Sequence, residues 1–161
     1  MDPGIQFADL LAYNADENDH WKRWFAEHAA ALDLPCDVAG AATVRKLLFH
    51  IFTTELFFAN RVLDEAKVDY QNLPHGTLEE LFEISVTAQG KLQQFIATAP
   101  PEEWARPVPL GFRDFKASKR KMLMQVVMHS IHHRGQLATF LRQQGFKQDW
   151  THDFILSKVM E

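Results

Sequence analysis

Four long stretches of the sequence place their apolar residues at helical spacing, and strand-like alternation is nearly absent. Residues three and four positions apart share one face of a helix, so each stretch predicts an amphipathic helix. These helices are predicted over residues 5–32, 42–66, 77–97 and 118–144, with a short helix from residue 149 to the end. Four such helices in a chain of 161 residues predict an all-α fold, a four-helix bundle, because each apolar face must be buried against the others.

Residues that start or stop helices predict the boundaries. Leu34-Pro35 ends the first helix, because the residue before a proline avoids the helical conformation. Thr77 and Glu80 have the spacing of a capping box at the start of the third helix. Pro100-Pro101 stops that helix, and Gly145 suits the left-handed position after the fourth. A long connection, with room for a short hairpin, is therefore expected between the third and fourth helices.

Charge and composition exclude several classes of protein. Lys plus Arg is 17 and Asp plus Glu is 21, so no global basic field exists to attract nucleic acid or an anionic membrane. No apolar run approaches membrane-spanning length, and the start at Met1 lacks the basic and apolar segments of a signal peptide. The single cysteine, Cys36, suggests a reducing compartment. We therefore expect one cytoplasmic domain over residues 1–161.

Three of the eight histidines suggest a metal site. His129 and His133 are four positions apart, which puts both rings on one face of the fourth helix. His50 lies on the apolar stripe of the second helix with Leu47 and Ile51, and is expected to face the bundle core. Three imidazoles with an open fourth position are typical of a catalytic metal site. Histidines on apolar faces are also common as hydrogen-bonded core residues, and spacing alone does not decide between the two interpretations.

The stretch from His129 to Leu137 reads HSIHHRGQL, in which three residues separate His129 from a His-Arg-Gly-Gln element. This pattern resembles the signature of the DinB family (DinB/YfiT-like metalloenzymes). The continuation over residues 138–145, the stretch over residues 47–52 around His50, and the Tyr13-Asn14 pair are also similar to the family pattern. The resemblance covers nearly the whole chain.

This resemblance implies that His50, His129 and His133 coordinate one divalent metal ion per chain, which would be zinc, nickel or iron. It implies an up-down-down-up four-helix bundle that is often assembled as a homodimer. Characterised relatives include S-transferases and isomerases that use low-molecular-weight thiols. The resulting hypothesis is a metal-dependent enzyme with a small-molecule substrate and a thiol cosubstrate, in which metal coordination lowers the pKa of the thiol.

Two other functions fit the same three histidines. A metal-activated water would give a hydrolase, although the sequence offers no obvious general base. A non-catalytic, stress-related metal-binding protein would hold the ion without substrate access. Its open face would be plugged by side chains from the first helix or from residues 99–117.

Several polar residues are interpreted as structural or solvated. Glu17 and His20 are expected on a solvated helix face, and Glu55 is expected to be a surface carboxylate. The basic residues at the start of the fourth helix are expected to form a solvated cluster: Lys116, Lys119, Arg120 and Lys121.

Residues next to the histidine pair receive structural interpretations as well. His132 should point about 100° away from His133 and is expected at the surface, near the site or at an interface. Arg134 and Gln136 are expected to have structural roles, packing the helix or pairing with a carboxylate at the subunit contact. Gly135 is expected to permit a close helix approach, which would offset the cost of glycine within a helix.

Overall fold

The computed structural model describes residues 4–112 and 114–160, and within them the chain is mostly helical. Its five α-helices are α1 (Phe7–Glu27), α2 (Val44–Val62), α3 (Leu78–Thr98), α4 (Pro101–Ala105) and α5 (Lys119–Gln143). The chain also forms two antiparallel hairpins. The strands β1 (Pro35–Val38) and β2 (Ala41–Thr43) lie between α1 and α2, and β3 (Pro107–Pro109) and β4 (Lys116–Ser118) lie between α4 and α5. Residues 1–3 and 161 lie outside the described residues. The first group belongs to the segment that was predicted to lack a signal peptide, and residue 161 is the end of the predicted last helix.

The hydrophobic core lies between the four long helices. Both α1 and α2 pack against α3 and α5, and α2 has its most extensive contact with α3. The core contains large buried side chains from each long helix, among them Trp21, Phe52, Leu81 and Leu123. No helix in the described part of the chain is long and apolar enough to cross a membrane.

The predicted helix ends agree with the structure where local chemistry sets them. The capping box is present: Thr77 Oγ1 accepts from the Glu80 amide at 3.1 Å, and Glu80 Oε2 accepts from the Thr77 amide at 3.1 Å. Gly145 has φ +87°, the left-handed conformation that follows many helices. Ser118 Oγ caps α5 by accepting from the Lys121 amide. The hairpin of β3 and β4 lies in the connection where a hairpin was expected.

The structure differs from the predicted elements at several points, including the second helix, which ends at Val62 and not at residue 66. The first helix ends at Glu27, and a 3-10 turn over Ala29–Asp33 takes up the rest of the predicted span. The hairpin of β1 and β2 was not predicted, because these strands are too short for alternation to be visible. The predicted last helix is a 3-10 turn over Phe154–Leu156, and the side chains of Trp150 and His152 before it are engaged with Glu17 of α1.

The segment after α5 packs on α1, and this contact buries Glu17. Glu17 is 4% exposed, so the prediction of a solvated face is wrong for this residue. His152 Nδ1 lies 2.6 Å from Glu17 Oε2, and Trp150 Nε1 donates to Glu17 Oε1 at 3.1 Å. Tyr13 also donates its hydroxyl proton to the carbonyl of His152. The ring of His20 stacks on Trp150.

Lys119 is buried, so the prediction that it belongs to a solvated cluster is wrong. Its side chain is 2% exposed, and its Nζ lies 2.8 Å from Asp64 Oδ2 and 2.6 Å from Glu103 Oε2. Arg106 pairs with the same two carboxylates, which gives a cluster of two cations and two anions. A buried ammonium needs such partners, because losing its hydration is costly. The neighbouring Lys116, Arg120 and Lys121 are exposed, as predicted.

Gly135 does not mark a close helix contact. A Cβ atom built on Gly135 would meet no atom within 4 Å outside its own helix neighbourhood, so the expectation of a close approach is wrong. The glycine lies on an exposed part of α5, where close packing does not require it.

Candidate metal centre

The packing of α2 against α5 brings the three predicted histidines together. His50 lies in α2, and His129 and His133 lie one turn apart in α5. One ring nitrogen from each lies within 4.8 Å of the others, and the Nε2 atoms of His50 and His129 are 3.1 Å apart. Two nitrogens bound tetrahedrally to one metal at 2.0–2.1 Å would be about 3.3 Å apart. The residues present therefore fit a single small divalent ion.

The cluster lies at an open side of the α2–α5 contact, not in the bundle core. His50 is exposed, His129 is half-buried and His133 is buried. The expectation that His50 faces the core is therefore wrong. Its position near the edge of the contact leaves one side of the cluster accessible, which a site that receives a ligand from solution requires.

Gln136 orients the most buried of the three rings. Its Oε1 accepts a hydrogen bond from His133 Nδ1 at 2.7 Å. A proton on Nδ1 leaves the lone pair on Nε2 of His133 available for a metal. The sequence placed Gln136 in a structural role, and its orientation of a candidate ligand was missed. The i,i+3 spacing from His133 was the available signal.

The histidines are held in the neutral form that binds metals. Burial, together with the charges that His133 and His50 would carry, lowers the pKa of His129 to about 4. Burial also lowers the pKa of His50, assisted by His133. For His133 burial again lowers the pKa, against the bond to Gln136. At neutral pH, no proton has to be displaced from these rings before a metal binds.

A buried polar network lies directly behind the cluster. Glu55 is 0% exposed, so the prediction of a surface carboxylate is wrong. Its Oε1 accepts from Asn14 Nδ2 at 2.9 Å and from Ser130 Oγ at 2.8 Å, and its Oε2 accepts from Ser85 Oγ at 2.7 Å. These partners belong to α1, α5 and α3, so one carboxylate of α2 ties all four long helices together.

Arg134 completes this network. It is buried beside Ser130 and donates to the backbone carbonyl and the side chain of Asn14 and to Asn18 Oδ1. Burial lowers the pKa of Arg134, while the charges of Glu55 and Glu17 raise it. Ser130 and Arg134 directly follow His129 and His133 in α5, so the network holds the helix that carries both histidines. The structural interpretation of Arg134 agrees with these contacts, whereas the network around Glu55 was missed.

His132 is exposed and is not part of the three-histidine cluster, in agreement with the prediction that it points away from it. Within residues 4–112 and 114–160, the only cluster of three or more histidine, cysteine or acidic residues placed to hold a metal ion is His50, His129 and His133.

The fold and the cluster together define a mostly helical protein with three histidines gathered between two packed helices. The DinB family model matches residues 4–158, and this chain belongs to the DinB family. It is 26% identical over 104 residues to the uncharacterised protein YjoA of Bacillus subtilis (strain 168). The matched residues make up 64% of this chain and 68% of YjoA. The crystal structure of a DinB-like protein, YjoA from Bacillus subtilis, superposes with a TM-score of 0.58 at 19% identity. The match covers 91% of this chain and 96% of the other, and shows a shared fold.

Proposed function

We propose that this protein is a divalent-metal-dependent enzyme in which His50, His129 and His133 hold one metal ion. The observation that carries the proposal is the convergence of three neutral imidazoles from two helices on one point, with the Nε2 atoms of His50 and His129 3.1 Å apart. A bound divalent ion would supply Lewis-acid chemistry, lowering the pKa of a coordinated thiol or water. The finer architecture is part of this proposal: one domain over residues 1–161, with the up-down-down-up topology of a four-helix bundle.

The residues around the cluster support transfer to a small molecule more than hydrolysis. A hydrolase needs a base within reach of the attacking water. Glu55, the nearest candidate in sequence on α2, has both oxygens engaged by Asn14, Ser130 and Ser85. A carboxylate that accepts three hydrogen bonds inside the core is not free to take a proton at the cluster. We therefore propose a thiol-dependent S-transferase, with a low-molecular-weight thiol as cosubstrate.

An accessible cavity argues against a purely storage role. A cavity of about 420 Å³ is lined by His50 and His129, and Phe112 of the connection between β3 and β4 forms part of its wall. Among residues 4–112 and 114–160, neither that connection nor α1 fills the space beside the two histidines. The same proposal includes a homodimer and a cytoplasmic location, both inferred from the family resemblance and the composition.

Metal content is the first test. Tag-free protein purified without chelators or metal columns should contain about one divalent ion per chain by elemental analysis, or should take up one Zn²⁺, Ni²⁺ or Fe²⁺ when it is added. His129→Ala should abolish this binding, and His132→Ala, one position from His133 and outside the cluster, should keep it. A wild-type chain that binds none of these ions would refute the proposal.

The thiol requires its own test. Co²⁺-loaded protein should change its visible absorption when a small thiol is added, because a thiolate that joins the ion alters its spectrum. A spectrum that no thiol perturbs, in protein that binds Co²⁺ stoichiometrically, would refute the transferase version and leave the metal site standing.

A further inference from the structure

A cavity beside the histidine cluster adjoins a second cavity, with which it shares lining residues. The inner cavity, of about 420 Å³, is bounded by His50 and His129 at one end and by Phe57, Tyr70 and Phe112 beyond them. The outer cavity, of about 450 Å³, is bounded mainly by Leu110, Phe115, Ala117 and Met122. Phe58, Phe112 and Gln125 line both cavities. Each volume lies within the range of about 300–1,000 Å³ that is usual for small-molecule sites.

The inner cavity combines a few polar groups with aromatic walls. Thr54 follows His50 by one helical turn, and Gln125 precedes His129 by one turn, so a hydroxyl and an amide flank the cluster. Thr53 and Tyr70 also line this cavity, and the rest of the wall consists of phenylalanine rings. The charged side chains in the two linings are Asp114 and Lys121 in the outer cavity, and their opposite signs select for neither charge.

The aromatic wall is exposed, and its first part lies against α2. Phe112 is 52% and Phe115 is 47% exposed, which is high for phenylalanine. Arg61 of α2 donates from Nη2 to the carbonyl of Leu110 at 3.3 Å and lies over the ring of Phe57, which the ring of Phe112 contacts. Gly111 has φ +79°, a conformation that suits glycine. The exposed rings therefore offer apolar surface that a ligand can cover.

We infer that the substrate reaching the histidine cluster carries an aromatic or similarly flat apolar group. That group packs against the rings of Phe57 and Phe112, which contact each other with their centroids 6.0 Å apart, while a polar group of the same molecule faces His50 and His129. A wholly polar substrate would leave the rings in contact with water, whereas an aromatic ring stacks on them and removes apolar surface from solvent. This inference rests on the proposed function, since it names the substrate class of the same site.

A matched pair of metal-binding probes tests the inference. Benzohydroxamate and acetohydroxamate share the same metal-binding group and differ by a phenyl ring in place of a methyl group. In Zn²⁺-loaded protein, calorimetry should show benzohydroxamate binding at least tenfold more tightly. Gln125→Trp, which fills the boundary between the cavities, should remove most of this advantage. Met124→Trp is the control, because Met124 is exposed on the same helix and lines neither cavity. Equal affinities in wild type, or an equal loss in both variants, would overturn the inference.

A second measurement separates this inference from the metal proposal. In chelator-treated protein, the uncharged fluorescent probe N-phenyl-1-naphthylamine should bind at one site, and Gln125→Trp should weaken it at least tenfold while Met124→Trp leaves it within twofold. If the protein binds no metal but the probe behaves in this way, the proposed function fails and the apolar ligand site stands. If the probe binds wild type and both variants equally, the ligand site fails, whatever the metal result.

Discussion

Replacing Glu55 by glutamine should destabilise the fold strongly, although the two side chains have nearly the same shape. Glu55 is fully buried and accepts hydrogen bonds from Asn14, Ser85 and Ser130. Glutamine has an amide NH₂ group in place of one carboxylate oxygen. This group can only donate hydrogen bonds, and it would face side chains that donate to Glu55 in the wild type. It also removes the negative charge that helps to keep the buried guanidinium of Arg134 protonated.

The magnitude follows from the first of these two losses. A hydrogen bond to a charged group contributes about 1.5–3 kcal/mol, against about 1 kcal/mol for a neutral one. Arg134 keeps its hydrogen bonds to Asn14 and Asn18 and the nearby charge of Glu17, so the substitution does not leave the guanidinium without partners. We therefore expect a loss of about 1.5–3 kcal/mol, from the hydrogen bonds to the charged carboxylate. At about 2–4 °C per kcal/mol for a protein of this size, the melting temperature should fall by roughly 3–12 °C.

Urea unfolding followed by far-ultraviolet circular dichroism gives the free-energy change, and thermal unfolding gives the shift in melting temperature. Glu83→Gln is the matched control, because Glu83 is an exposed glutamate in α3, and its melting temperature should stay near that of wild type. If Glu55→Gln unfolds at the same urea concentration as wild type with the same slope, the carboxylate does not hold the four helices together and the reasoning is refuted.

Three further predictions concern α5. Gln136→Leu removes the acceptor that orients His133 and should lower Zn²⁺ affinity about tenfold to hundredfold in a chelator competition, whereas an unchanged affinity would show that the ring needs no such support. Gly135→Ala should raise the free energy of unfolding by about 0.5–1 kcal/mol, because the site has open space and alanine favours the helix; a lower urea midpoint would contradict this. The pKa of His129, lowered to about 4, lies below the ordinary 6.5, so the unfolded chain binds a proton at higher pH than the folded, metal-free chain. The free energy of unfolding of the metal-free protein should therefore decrease as the pH drops from 6.5 towards 4. In urea titrations at several pH values, His129→Ala should show a smaller decrease than wild type.

The helices and the histidine cluster were largely predictable because both depend on periodicity within one helix. The capping box at Thr77 and the glycine at 145 are local signals, and both are present in the structure. The spacing of His129 and His133 places the two rings on one face whatever the rest of the chain does. That His50 meets them required the resemblance to a family, since no pattern within α2 shows which helix packs against it.

The buried charges were not predictable for the opposite reason. Glu17 is buried by Trp150 and His152, and Lys119 by partners more than ten residues away along the chain. Glu55 lies five residues after His50, on a side of α2 that looks like a surface until α1, α3 and α5 are placed around it. From the sequence alone, a charged residue is predicted to be exposed to solvent, because the distant residues that would pair with it are not known.

The contact between the segment after α5 and α1 has a consequence for synthesis of the chain. Glu17 and His152 are 135 positions apart, so at about 5–20 residues per second the ribosome adds the histidine roughly 7–27 s after the glutamate. During that interval the carboxylate of Glu17 lacks its contacts with Trp150 and His152. Trp21 is not yet covered by the rings of the same two residues. Although α1 is synthesised before α2 to α5, its contacts are completed only after α5 has been made. A nascent chain stalled before residue 150 would therefore present this tryptophan-rich side of α1 to chaperones.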